Sequence, residues 1–251
     1  MKDKIAYRII NDIYDSILKG NHFGNIPVNQ GFGYSIFRKS NQKIERFGIV
    51  GTYRYEKFKT EHLGARISFL PLESIVSPIL VSNGLMGDSI LEELPATISF
   101  STANDFLVAD KDALTTFASE RLPIVIENET DIDNFIQAHI DFYFQFIEPF
   151  FNRWCDIRDL LPLIENMETS KAFDFFGTGA VFKLLTIWKL CNHPKVSFEI
   201  ERWENNFLQM RKNDPTEIQY ERYYNASNQL SEVLSKTEPL YEWDPEYLKL
   251  K

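Results

Sequence analysis

The chain has 251 residues, 44% hydrophobic, 25% charged and 14% aromatic, with 21 Phe and a formal net charge of −9. This is the composition of an ordinary soluble globular protein, long enough to be stable without a disulfide or structural metal. No apolar run reaches 18 residues and Met1 to Arg8 holds no apolar signal core, so neither a helical membrane span nor a leader is expected and the cytoplasm is the expected location.

In chain order, residues 1–19 read as an amphipathic helix, with Ile5, Ile9, Ile10, Ile13, Tyr14 and Ile17 on one face and Gly20 just beyond. A turn-rich stretch follows to Gly33. From Tyr34 the period changes to two. Tyr34 and Ile36, then Phe47, Ile49, Tyr53 and Tyr55, alternate with polar residues, and Ser40-Asn41-Gln42 forms the turn between these two strands. Ala65, Ile67 and Phe69 mark a third strand, Ile98 and Phe100 a fourth, and 122–127 a short fifth. Between the third and fourth lies a Pro-punctuated, partly helical stretch, 71–95, with a loop at Gly84-Leu85-Met86-Gly87. Residues 112–119 form a short helix.

After Thr130, taken as an N-cap, apolar residues recur at steps of three and four from Ile136 through Ile164. The block Phe142 to Trp154 holds so many aromatics that the helix must be covered on more than one side. Pro149 lacks an N–H and crowds the preceding turn, so the spacing predicts two pieces, 131–147 and 149–167, with a kink or break between. Further helices are expected over 178–192, 195–211 and 215–235, the last with Pro215 in its first turn. The tail from Pro239 carries Tyr241, Trp243 and Tyr247, and either docks on the body or touches a partner.

Strands first and helices after predict an α+β fold. An antiparallel sheet of four to five strands with an N-terminal helix occupies 1–128, and a helical half, 129–251, packs on it as one continuous structural unit. The order of elements resembles an uncharacterised family of bacterial domains of unknown function. The resemblance rests on Gly31-Phe32-Gly33 through Arg38-Lys39, Arg66-Ile67-Ser68, Glu148-Pro149-Phe150-Phe151 and Leu160-Leu161-Pro162-Leu163. It implies an association with toxin–immunity or defence gene clusters and supplies no functional residues. Residues 178–211, through Trp188, Cys191 and Trp203, also resemble one helix pair of the tetratricopeptide kind, without a following repeat.

The chemistry is sparsely marked. His22, His62, His139 and His193 lack zinc spacing, and no cofactor or metal is expected. His139, beside the aromatic block, is the one candidate general base. Gly177-Thr178-Gly179 opens a helix and is a candidate anion site, although Thr178 as N-cap accounts for the same residues. Asp156 and Asp159 stand one turn apart, within reach of Arg153 or Arg158. Cys155 and Cys191 read as reduced, buried thiols, and the sequons at Asn128 and Asn225 as coincidences.

Charge is unevenly spread. Residues 1–64 carry 11 Lys and Arg against 6 Asp and Glu, whereas 71–135 carry 12 acids against only Lys111 and Arg121. A basic-aromatic cluster, Arg38, Lys39, Lys43, Arg46, Arg54, Lys57 and Lys59 with Tyr53, Tyr55 and Phe58, has the residue types of a nucleic-acid face, but the acidic chain argues against it. The acidic stretch, with Asp131 and Asp133, and the tail aromatics Tyr241 and Trp243 are instead candidate binding residues for a basic protein partner. The expected function is a protein-binding module, immunity-like in neutralising its partner. The alternative is an enzyme whose polar site, around His139 or the Gly177 turn, is not advertised.

Overall fold

The computed structural model describes residues 24–27, 32–54, 57–88, 94–105 and 107–249. The helix expected over 1–19 lies outside the described residues, as does most of the turn-rich stretch after it. The fold is α+β. Its contacts divide into two compact units interleaved along the chain: Met1–Ile67 with Ser99–Arg153, and Ser68–Ile98 with Trp154–Lys251. The division therefore does not fall at residue 128, because the helix that follows goes with the strands.

In the first unit, β1 (Gly24–Pro27), β2 (Phe32–Lys39), β3 (Lys43–Arg54), β4 (Lys57–Thr60) and β7 (Ile124–Ile126) form an antiparallel run in the order β1-β2-β3-β4-β7. β5 (Gly64–Phe69) pairs with β3 and with β6 (Ile98–Ser101), and both strands run on across the unit boundary. All five expected strands are present. The two additional ones are β1 and β4, the latter pairing antiparallel with the end of β3, Arg54 opposite Lys57. The Ser40 turn closes by Ser40 N–H donating to the Lys43 carbonyl at 2.9 Å, and the register sets Ile36 opposite Phe47, both buried. At Gly64 a Cβ would lie 2.3 Å from the Phe100 carbonyl oxygen, so only glycine lets these strands approach.

α2 (Lys111–Arg121) is capped by Asp110, whose side chain accepts from Ala113 N–H. α3 (Glu129–Phe142) starts earlier than expected. Asn128, not Thr130, is its N-cap, in a capping box with Asp131. The helix then widens into a π-turn over Tyr143–Ile147, with Glu148 N–H donating to the Tyr143 carbonyl, before α4 (Glu148–Arg153). The strain expected at Pro149 is taken up here: a wide turn just upstream relieves the carbonyl crowded by the ring, and the helix continues. It ends at Arg153 rather than near 167, because Asp156 and Asp159 build a capping box that starts a new 3-10 turn, Ile157–Leu160.

The second unit is built around α7 (Ala180–Leu190), ten of whose eleven residues are buried, as an apolar-all-round helix must be. Around it pack α1 (Leu70–Ser82), α5 (Leu161–Ile164), α6 (Thr169–Phe176), α8 (Val196–Asn213) and α9 (Ile218–Lys236). α6 was not foreseen. α9 begins at Ile218 with Glu217 as N-cap, and Pro215 instead sits in a turn where Asp214 accepts from Thr216. The tail docks within this unit: Leu240 and Tyr241 N–H both donate to the Leu190 carbonyl, at 2.8 and 3.2 Å.

Candidate functional site

His139 is 4% exposed on the buried side of α3, its Nδ1–H donating to the Phe135 carbonyl at 2.9 Å and its ring 4.1 Å from that of Phe135. Burial pushes its pKa down to about 4, so the imidazole is neutral. A neutral buried histidine gives a pH signature. Its proton affinity is lower folded than unfolded, so its contribution is complete above about pH 6.5 and is lost as pH falls toward 4, on the order of 3 kcal/mol. His139→Leu should flatten stability between pH 6.5 and 4 relative to the parent. Parallel urea midpoints for the two proteins across that range would remove the assignment.

The Gly177-Thr178-Gly179 turn joins α6 to α7, and both glycines have positive φ, +63° and +80°. A Cβ on Gly179 would meet Leu80 Cδ1 at 2.4 Å. Thr178 is exposed and makes no cap; Gly179 occupies the N-cap position. Backbone shape and close packing, rather than an anion, account for these glycines.

The tail aromatics are turned inward on their own unit. Tyr241 Oη–H donates to Asp156 at 2.8 Å, and the Arg158 guanidinium lies over the Tyr241 ring at 4.1 Å while binding Asp156 at 2.8 Å. Trp243 meets His193 edge-on at 4.3 Å. Of the candidate arginine partners for the Asp156–Asp159 pair, Arg158 pairs with Asp156. Asp159 accepts from Cys155 and Asp156 N–H. Cys191 is buried, its thiol pushed up to about 12 by burial, but Cys155 is exposed, because the helix has ended before it; neither is in a disulfide.

The basic cluster is partly spoken for. Glu45, itself 2% exposed, pairs with Arg38 at 2.5 Å and Lys43 at 2.7 Å, and Lys43 also donates to the Phe151 carbonyl. Lys59 pairs with Glu61 at 2.7 Å.

What the sequence did not reveal is a groove on the first unit. A hollow of about 640 Å³ opens between α2 and the α3–π segment, lined by Phe117, Arg121, Asp141, Phe144 and Gln145 among others. A second, of about 380 Å³, shares Glu120 and Arg121 with it and continues past Ile124 and Val125 of β7 to Asp131 and Asn134. Three acidic residues, Glu120, Asp131 and Asp141, thus border the two adjoining hollows, with Arg121 as the basic residue of their lining. Arg121 approaches Asp141 at 3.6 Å, both partly exposed. Lys111, the other base of this stretch, pairs with Asp105 at 3.3 Å. At the rim Phe144 is 50% exposed, although Tyr143, Phe146 and Ile147 of the same turn are buried. The π-turn shifts the angular register and carries Phe144 out of the stripe.

No family model, curated protein or solved structure matches this chain. The groove must be read from its own chemistry. Asp131 lines it while its Oδ2 accepts from Glu127 and Asn128 N–H, at 2.8 and 3.0 Å, so this carboxylate is held in place by the helix cap. Asp133 is exposed on the same first turn. Among the described residues, no helix is long and apolar enough to cross a membrane, and no cluster of three or more His, Cys, Asp or Glu is arranged for a metal ion. The groove combines acidic residues in excess, an aromatic edge and a concave floor.

Proposed function

We propose that the protein is a protein-binding module that engages a basic partner through the α2–β7–α3 groove, in the neutralising, immunity-like manner that the family resemblance implies. The observation that carries this reading is the pairing of excess carboxylate with a half-exposed aromatic on one concave surface. Exposed acids alone would only raise the rate of encounter; the aromatic rim adds the desolvated contact that gives an interface its lifetime. His139 and the Gly177 turn, which a catalytic reading would use, are both taken up in packing.

The test reverses the groove charge with Glu120→Lys and Asp141→Lys, neither of which caps a helix. A control variant, Glu201→Lys with Glu238→Lys, makes the same net change on the second unit. A basic protein captured stoichiometrically from the host lysate by parent and control should be lost by the groove variant, a fall of at least a hundredfold. Asp133→Ala should weaken the same complex by a few-fold, mostly at low salt. Capture of nothing, or undiminished capture by the groove variant, would overturn the reading.

A further inference from the structure

Resting on that reading, we infer that Arg121 is an internal stand-in for the partner: its guanidinium occupies the place that an arginine of the bound segment takes, and it swings away from Asp141 when the segment enters. Arg121 is shared by both halves of the groove and is the one cation among its lining residues. Its hold on Asp141 is weak. At 3.6 Å the pair is outside hydrogen-bond distance, and the side chains are 49% and 35% exposed. Exposed pairs of this kind contribute little, so exchanging one cation for another there is nearly free.

The surroundings specify the newcomer. Asp141 and Phe144 line the same hollow, so a guanidinium against the carboxylate can also lie over the ring, a pairing Arg makes more readily than Lys. Two further carboxylates, Glu120 and Asp131, continue along the groove, which leaves charge for a second cation even after Arg121 has moved. The occupant is therefore a protein segment with two basic residues, at least one of them arginine, and an apolar side chain between them to lie on Phe117 and Phe144.

The probe is a fluorescein-labelled nonapeptide of alternating arginine and leucine, read by anisotropy against the full chain, with a glutamate–leucine peptide as counterpart. Arg121→Gln should tighten binding of the arginine peptide roughly three- to tenfold, since the competitor is gone. Lys111→Gln changes net charge equally on the same unit, away from the groove, and should alter it less than twofold. Phe144→Ala should weaken it at least fivefold, and lysine in place of arginine should do the same. If Arg121→Gln matches Lys111→Gln, or weakens binding, Arg121 is not a competitor and the inference falls while the groove reading stands. If the peptide does not bind, or binds the Glu120→Lys/Asp141→Lys protein equally well, the groove reading itself fails and the inference with it.

Discussion

Lys183→Met is expected to destabilise the second unit by about 3–5 kcal/mol, the cost of removing one partner of a buried ion pair. Lys183 is 2% exposed and Glu73 0%, with Nζ 3.2 Å from Oε1. Nζ also donates to the carbonyls of Ala96, at 2.8 Å, and Phe176, at 3.3 Å. Glu73 in turn accepts from Thr97 Oγ1–H at 2.7 Å and Ser77 Oγ–H at 3.0 Å, and Thr97 accepts from Phe69 N–H. The network ties α1, α7 and the strand entering at 97 into one satisfied cluster. Methionine keeps the length and apolar stem of lysine, so the loss is electrostatic: Glu73 remains buried with two hydroxyls and no cation.

All four tryptophans, at 154, 188, 203 and 243, belong to this unit, so their fluorescence reports on its unfolding. Urea midpoints read this way should drop sharply for Lys183→Met. Glu73→Leu combined with Lys183→Met should recover most of the loss, because both desolvated charges are then gone. A single variant costing under about 1 kcal/mol, or a double variant no better than the single, would show that the two charges do not depend on each other.

This pair marks the limit of what the residues revealed. A single lysine in the first turn of Ala-Val-Phe-Lys-Leu-Leu-Thr-Ile-Trp is a recognisable anomaly, since a helix apolar on all sides leaves its lysine no route to water. Its partner, Glu73, lies more than a hundred residues away, and such a pairing is set by tertiary approach rather than by spacing. The strands were legible because their alternation is local: Ala65, Ile67 and Phe69 are all buried as the period requires. Pro149 announced strain, but whether strain breaks a helix or widens it depends on what packs against the next turn; here Phe150 and Phe151 are buried and hold the chain helical. The groove was invisible for the same reason. The acids of 71–135 were plain, but their convergence with Asp141 and Phe144 comes from α2 and α3 standing beside each other. Asp131 borders the groove and Asp133 is exposed beside it, whereas Tyr241 and Trp243 make contacts within their own unit.

Phe142→Ala and Phe144→Ala, two residues apart, should differ by about 3–5 kcal/mol against less than about 0.5 kcal/mol. Phe142 is 1% exposed, with its ring 5.3 Å from Phe117, 5.2 Å from Phe146 and 5.9 Å from Phe100 by centroid. Truncating it empties the centre of this aromatic cluster, which a helix fixed by the π-turn cannot collapse to fill. Phe144 touches Tyr143 edge-on and otherwise faces the groove. With no tryptophan in the first unit, the measurement is amide hydrogen exchange over β2, β3 and α3. Phe142→Ala should accelerate exchange throughout these elements, and Phe144→Ala should leave it near the parent. Equal acceleration would make Phe144 a packing residue and remove the aromatic edge from the groove. The expected split, stability kept and peptide binding lost on Phe144→Ala, separates a side chain retained for contact from its neighbours retained for the core. The four aromatics within Phe142–Phe146 then divide by one wide turn into those that hold the unit together and one turned toward the groove.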